Sequence, residues 1–159
     1  MEERHSNREV MDPDTRRKVY FSVPSIIHYD VGTYRNSPAS FVPVSVTGTA
    51  CALRCAHCNG RLLESMLPAL TPEALLSLGG ELVSKGCRGL LISGGAMDDG
   101  SVPLEPFLGA IRELTYGLGL RVAVHTGIVS RDFARALAGS GIEAAMIDVV
   151  VDPEVARRV

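Results

Sequence analysis

Three of the four cysteines stand within eight residues, at Cys51, Cys55 and Cys58, spaced C-x3-C-x2-C. Three thiolates converging from one short loop make a soft, anionic site, the kind that iron–sulfur clusters and zinc select. A [4Fe–4S] cube usually takes four thiolates. Three would leave one iron without a protein ligand, and an open coordination position is where a metal does chemistry rather than hold structure. A structural zinc site wants four Cys or His ligands. The fourth would have to be Cys87 or His57, and His57 is wedged between two of the thiols.

The elements that must position this loop alternate between strand and helix. Phe41 to Val46 is the first core strand, and Thr47-Gly48-Thr49-Ala50 delivers the chain to Cys51. Pro43 inside that strand removes a ladder donor and points to an edge or a bulge. Asn59 to Leu67 reads as a helical extension with Leu62, Leu63 and Met66 turned inward. Thr71-Pro72 opens a helix as cap and first residue. Leu75, Leu78 and Leu82 continue it at helical spacing. Gly79-Gly80 in its middle costs about 1 kcal/mol per glycine against alanine, which close helix–sheet packing would explain. Gly89 to Ser93 is a second, fully buried strand. Pro103 to Leu118 is a helix with Phe107, Ile111, Leu114 and Leu118 on one face. Arg121 to His125 is the third strand, Ser130 caps a helix carrying Phe133 and Leu137, and Ala144 to Val150 is the fourth strand. Asp152-Pro153-Glu154 begins one more helix.

Strand and helix in alternation, with short connections, mean a parallel sheet. The apolar strands fit burial on both faces. The pattern allows either a doubly wound sheet or part of a (β/α) barrel. Before this core, residues 1–18 read as a charged tail, frayed or with a short helix. Residues 19–40 read as an extension with a hairpin, in which Val19-Tyr20-Phe21 and Ile26-Ile27-His28-Tyr29 are β-prone. His28 gets no role.

Composition bounds the function. The net charge is −2, so no basic field invites nucleic acid. No apolar run approaches the roughly 20 residues of a membrane helix, and the charged N-terminus lacks a signal-peptide core. Clustered thiols without a disulfide pattern fit a reducing cytoplasm.

Ligands bind at the C-terminal ends of parallel strands in either architecture, and the unusual residues all fall there. The cysteine loop follows the first strand, Ser93-Gly94-Gly95 the second and His125-Thr126-Gly127 the third. Asp148 sits late in the fourth, where a carboxylate in an apolar strand needs a partner or a cavity. Asp152 reads as a helix cap. Cys87 precedes its strand, at the other end of the sheet from the cluster loop, and reads as a small buried hydrophobe.

The cysteine spacing resembles the signature of the radical S-adenosylmethionine superfamily. The resemblance runs from about Phe41 onward and implies that Cys51, Cys55 and Cys58 bind a [4Fe–4S] cluster. S-adenosylmethionine would chelate the open iron and be cleaved reductively to a 5′-deoxyadenosyl radical that takes hydrogen from carbon. It further implies cofactor contacts at His57, near the adenine, and at the backbone of Gly94 and Gly95. His125 and Asp148 are further candidates for contact with the co-substrate. The family often has Gly-Gly-Glu after the second strand, whereas this chain has Gly94-Gly95-Ala96 and lacks the glutamate. The texture of the strands looks closest to the biotin synthase and lipoyl synthase branch and its archaeal-type relatives. That implies C–H functionalisation of the sulfur-insertion kind, on a small-molecule or protein-bound acyl substrate, with an external low-potential electron donor. No second cysteine set is present for an auxiliary cluster.

The expected fold is α/β, a partial (β/α) barrel over 41–159 with parallel strands, truncated to about four βα units and incomplete at its C-terminus. The given chain would then hold the cluster without turning over alone, and a partner chain could complete the barrel. Two rival functions stay open: a non-catalytic iron–sulfur electron-transfer module and a zinc-binding interaction domain. Replacing Cys51, Cys55 or Cys58 by Ala should abolish the metal-bound state, and Cys87→Ala should leave it intact. Iron and sulfide content after anaerobic reconstitution decides this, and metal loss in Cys87→Ala would favour the four-ligand zinc reading.

Overall fold

The computed structural model describes residues 8–11, 18–21 and 40–157. The chain forms two compact units that divide between Asn36 and Ser37. In the first, β1 (Arg8–Met11) pairs antiparallel with β2 (Lys18–Phe21), in the register Arg8↔Phe21 to Met11↔Lys18. Arg8–Met11 is therefore a strand, where the sequence suggested a frayed tail or short helix. Its apolar run is only Val10-Met11, and the β-prone Val19-Tyr20-Phe21 across the ladder gives it a partner. The rest of the hairpin expected in 19–40, with His28, lies outside the described residues.

The second unit is built on five parallel strands: β3 (Phe41–Ser45), β4 (Leu67–Pro68), β5 (Gly89–Ser93), β6 (Arg121–His125) and β7 (Ala144–Met146). Their order is β4-β3-β5-β6-β7, and the sheet is not closed. From β3 to β7 the order follows the chain without reversal, apart from the two-residue β4 on the outer side of β3. Between the strands run α1 (Pro72–Ser84), α2 (Leu108–Arg112) and α3 (Arg131–Ala138), and α4 (Pro153–Ala156) follows β7. A 3₁₀ turn, Glu105–Phe107, leads into α2, and a π turn, Glu113–Gly117, extends it.

Cross-strand register puts Val42, Val44, Leu90, Ile92, Val122 and Val124 on one face, each at most 8% exposed. Leu75 of α1, Ile111 and Leu114 of the second helical run, and Phe133 and Leu137 of α3 join them in a single core. All three helices therefore cover the same face. The opposite face carries Pro43, Leu91, Ala123 and His125, which are only half-buried. Burial on both faces, expected of every strand, holds for β5 and fades outward until all three residues of β7 are exposed.

Pro43 sits in this sheet without costing a ladder bond. The Val46 N–H donates to the Ser93 carbonyl on the β5 side, while the Ser45 carbonyl accepts from Ala69 on the β4 side. Backbone groups alternate along a strand, so Pro43 turns its nitrogen toward β4, which pairs only with Val44 and Ser45. Thr71 caps α1 by accepting from the Ala74 N–H at 3.2 Å, and Pro72 takes its first position. Gly79 meets another helix rather than the sheet: a Cβ there would collide with the Leu114 side chain. Gly80 has open space around it.

Two other expectations change. Asn59 to Leu67 forms only a 3₁₀ turn, Arg61–Ser65, in which Leu63 is buried but Leu62 is 67% exposed. A turn of that length buries one side chain, not a stripe. The fourth core strand ends at Met146 instead of Val150, because its neighbour β6 ends at His125. Arg121 and Glu143 clasp the start of these two strands through paired hydrogen bonds, and the guanidinium holds the Glu143 carboxyl below the usual range. Among the described residues no helix is long and apolar enough to cross a membrane.

Leu90 is fully buried in the middle strand, so Leu90→Ala should cost about 2–5 kcal/mol. Leu62→Ala should change stability by less than about 0.5 kcal/mol. Equilibrium denaturant unfolding of both variants measures this, and equal losses would contradict the inside-out assignment of the 3₁₀ turn.

Candidate functional site

The C-terminal ends of β3, β5, β6 and β7 share one edge, and the loops leaving them are tied to one another. Ser45, at the end of β3, is fully buried and donates from its hydroxyl to the Gly48 carbonyl at 2.6 Å. This tightens the turn before the cysteines. The Thr47 hydroxyl accepts from the Gly95 N–H at 2.6 Å and donates to the Ala50 carbonyl at 2.9 Å. It binds the cysteine loop to the end of β5. Beyond it, the Ala52 N–H donates to the Ala96 carbonyl at 2.8 Å.

The ties continue across the edge. Ser101 bridges Gly127, and the Ile128 N–H reaches the Gly100 carbonyl at 3.0 Å. The Thr126 N–H donates to the Met146 carbonyl at 3.1 Å, joining the ends of β6 and β7. Asp99 accepts from both the hydroxyl and the N–H of Ser101, which hold its carboxyl below the usual range.

Cys51, Cys55 and Cys58 are all free thiols, each partly exposed on this loop. The Cys55 carbonyl accepts from the N–H groups of Cys58 and Asn59, at 3.1 and 2.8 Å, so the last two cysteines share one tight turn. Burial pushes the Cys51 thiol up, but the backbone N–H groups of Arg54, Ala96 and Leu53 and the charge of Arg54 outweigh it. The net shift is downward, toward the thiolate that ligates metals. Among the described residues no three Cys, His, Asp or Glu side chains form a group that could hold a metal ion. The thiols share a loop rather than a closed cage. Their number, softness and exposure fit an iron–sulfur cluster as donors.

Gly95 lies against this loop. A Cβ on it would strike the Ala50 carbonyl and come within 2.7 Å of the Cys51 backbone. Gly94 has more room, with Thr47 and Val46 side chains at 3.1 Å from its notional Cβ. His57 is exposed on the loop between Cys55 and Cys58. His125 and Asp148 meet: Nε2 of His125 lies 3.1 Å from a carboxylate oxygen of Asp148. Asp152 caps α4, accepting from the N–H groups of Glu154 and Val155. Cys87 is buried before β5, its thiol turned to the Gly89 carbonyl at 3.2 Å. Because β3 and β5 are parallel, that is the end of the sheet away from the cysteine loop.

Sequence reasoning missed a polar pocket of about 210 Å³ beside Cys51, lined by Thr49, Arg54, Asn59, Gly60 and Glu64. Arg54 and Asn59 both have positive φ, 43° and 49°. The pair Asn59-Gly60 is the one readable trace of that turn, since both residues tolerate left-handed backbone. Thr47 was also missed, because a threonine in a turn carries no signal of the loop it will hold.

Gly95→Ala should displace the cysteine loop, since backbone atoms stand where the methyl group would go. We expect reconstituted iron to fall at least several-fold while the helical circular dichroism is retained. Full iron loading in Gly95→Ala would show that the contact does not position the thiols.

No protein-family model matches this chain, and no curated protein matches it. Among solved structures, a pilus assembly-related protein from Burkholderia pseudomallei is similar at 17% identity and a TM-score of 0.43. The match covers 77% of this chain and 88% of that one. A likeness at that level carries no argument about function.

Proposed function

We propose that this chain is a radical S-adenosylmethionine protein in which Cys51, Cys55 and Cys58 hold a [4Fe–4S] cluster. The observation that carries the reading is the three-thiol loop at the ligand-binding edge of a parallel sheet, pinned against Gly95. When bound, the cluster would supply the electron that cleaves S-adenosylmethionine to a 5′-deoxyadenosyl radical. The chain's own residues bind and orient. Backbone donors around Cys51 favour its thiolate. The Gly95 N–H is already committed to Thr47. The co-substrate's amino group is a donor, so its contact with the Gly94-Gly95 backbone would fall to carbonyl oxygens. His57, exposed on the loop between Cys55 and Cys58, would be the side chain near the adenine.

We read the sheet as part of a (β/α) barrel. One feature supports this over a doubly wound sheet: the helices between the strands pack on one face, whereas a doubly wound sheet is covered on both. The order reverses only at the two-residue β4, on the outer side of β3. In a barrel the half-open face, with Pro43, Leu91, Ala123 and His125, becomes the interior. The reaction we propose is C–H functionalisation, of the sulfur-insertion type or near it, on a small-molecule or protein-bound acyl substrate. An external low-potential donor would supply electrons in a reducing cytoplasm. A zinc module is disfavoured because its best fourth thiol, Cys87, lies at the opposite sheet end.

Electron paramagnetic resonance of the anaerobically reconstituted, dithionite-reduced chain tests the proposal. A [4Fe–4S]+ signal that shifts when S-adenosylmethionine is added supports it. Tight zinc without iron would sink it, and a cluster signal indifferent to S-adenosylmethionine would leave the electron-transfer module in its place.

A further inference from the structure

We infer that Asp148 is a positioning residue for His125, fixing the imidazole in the tautomer that leaves Nδ1 as a bare acceptor on the ligand-binding edge. The inference rests on the reading of this edge as the S-adenosylmethionine site and assigns these two residues distinct roles within it.

His125 is the last residue of β6, and strand alternation sets it on the face opposite Val122 and Val124, away from the helices. Its side chain is 28% exposed, whereas that of Asp148 is 87% exposed. A carboxylate so open to water gains little from a salt bridge, so the pair is not there for stability. What Asp148 does supply is an acceptor 3.1 Å from Nε2. A neutral imidazole has one N–H, and a carboxylate facing Nε2 draws the hydrogen to that nitrogen. Nδ1 is left as an acceptor, and among the described residues no donor meets it.

The geometry that brings the two together is specific to this edge. The Thr126 N–H and hydroxyl both reach the Met146 carbonyl, fastening the residue after His125 to the last residue of β7. The chain beyond Met146 has left the ladder. Asp148, two residues on, is free of sheet pairing and reaches back to the ring. A ligand group that meets Nδ1 must be a donor, and the ribose hydroxyls of S-adenosylmethionine are such donors. His125 would make the contact. Asp148 would act through it.

The tautomer is measured first, on the metal-free full chain, by long-range nitrogen–proton correlation spectra of the imidazoles in alkaline buffer, with His125→Gln for assignment. We expect a single Nε2–H form for His125. Asp148→Ala should release it to a mixture, and Asp148→Asn, which keeps an acceptor oxygen, should retain it. A mixed or Nδ1–H form in the wild-type chain, or no response to Asp148→Ala, overturns the assignment. Equilibrium binding of S-adenosylmethionine to the reconstituted chain gives the second readout. His125→Ala and Asp148→Ala should each weaken binding about tenfold, about 1.4 kcal/mol. The double variant should be no weaker than His125→Ala alone. Additive losses would put Asp148 directly on the ligand and overturn the positioning role. A wild-type chain that holds its cluster but ignores S-adenosylmethionine would overturn the co-substrate reading, while the tautomer still decides the role of Asp148.

Discussion

Parallel pairing sends every strand's C-terminal end to one edge of a sheet, and most of what this chain can do follows from that constraint. A parallel strand must return by a crossover, so each return helix spends its apolar stripe on the sheet face. The loops that leave the strand ends are then free of packing duty. Here the strand ends and their loops carry Cys51, Cys55, Cys58, Gly95, His125 and Asp148, while the opposite edge carries Cys87, buried and hydrogen-bonded to backbone. On the proposed reading, the division between chemistry and structure among the cysteines is a division between the two ends of the sheet.

Topology gathers the loops, but it does not fix them. Side-chain hydroxyls and backbone bonds do that. Thr47 faces both the Gly95 N–H and the Ala50 carbonyl, and so joins the end of one strand to the loop of another. The absence of a side chain on Gly95 is a condition of that contact, since its Cβ position is already filled by Ala50 and Cys51. The same logic runs outward through Ser101 and Gly127, then Thr126 and Met146. Each bond is modest alone, about 1 kcal/mol net. Together they make the edge a surface of fixed relative positions.

Much of this was legible in the sequence. The strands at Gly89–Ser93 and Arg121–His125 stand where apolar runs placed them. The caps at Thr71, Ser130 and Asp152 accept from the N–H groups their positions require. Such signals are local, set by residues within one turn of each other. The misses are non-local. Leu62 and Leu63 are indistinguishable by type, and only the packing beneath the 3₁₀ turn decides that Leu63 is the buried one. Ile147, Val149 and Val150 look like strand residues, but a strand needs a neighbour, and β6 has ended before them. Gly79 was a glycine in want of a close contact. The contact is Leu114, thirty-five positions away, and no pattern in the helix itself could name it. Likewise the meeting of His125 and Asp148 depends on how β7 aligns with β6, a register that the sequence does not state.

The cysteine loop is hydrogen-bonded unevenly, and on the proposed reading that bears on the cost of closing it around a cluster. Ahead of Cys51 the chain is held by Ser45, Thr47 and the Gly95 contact. After Cys55 it is held by a turn of backbone bonds through Asn59 and Arg61. Between these fixed parts lie Ala52 to Arg54, anchored at Ala52 to Ala96 and ending at Arg54 in left-handed backbone. On the proposed reading, drawing three thiols together requires adjustment mainly there. Ordering a residue costs about 1–2 kcal/mol, so a loop already fixed on both flanks has met most of that cost in folding. On that reading the pinned turn before Cys51 and the left-handed Arg54 are parts of one arrangement: hydrogen-bonded flanks, and between them a short segment whose Leu53 and Arg54 N–H groups already face the Cys51 thiol.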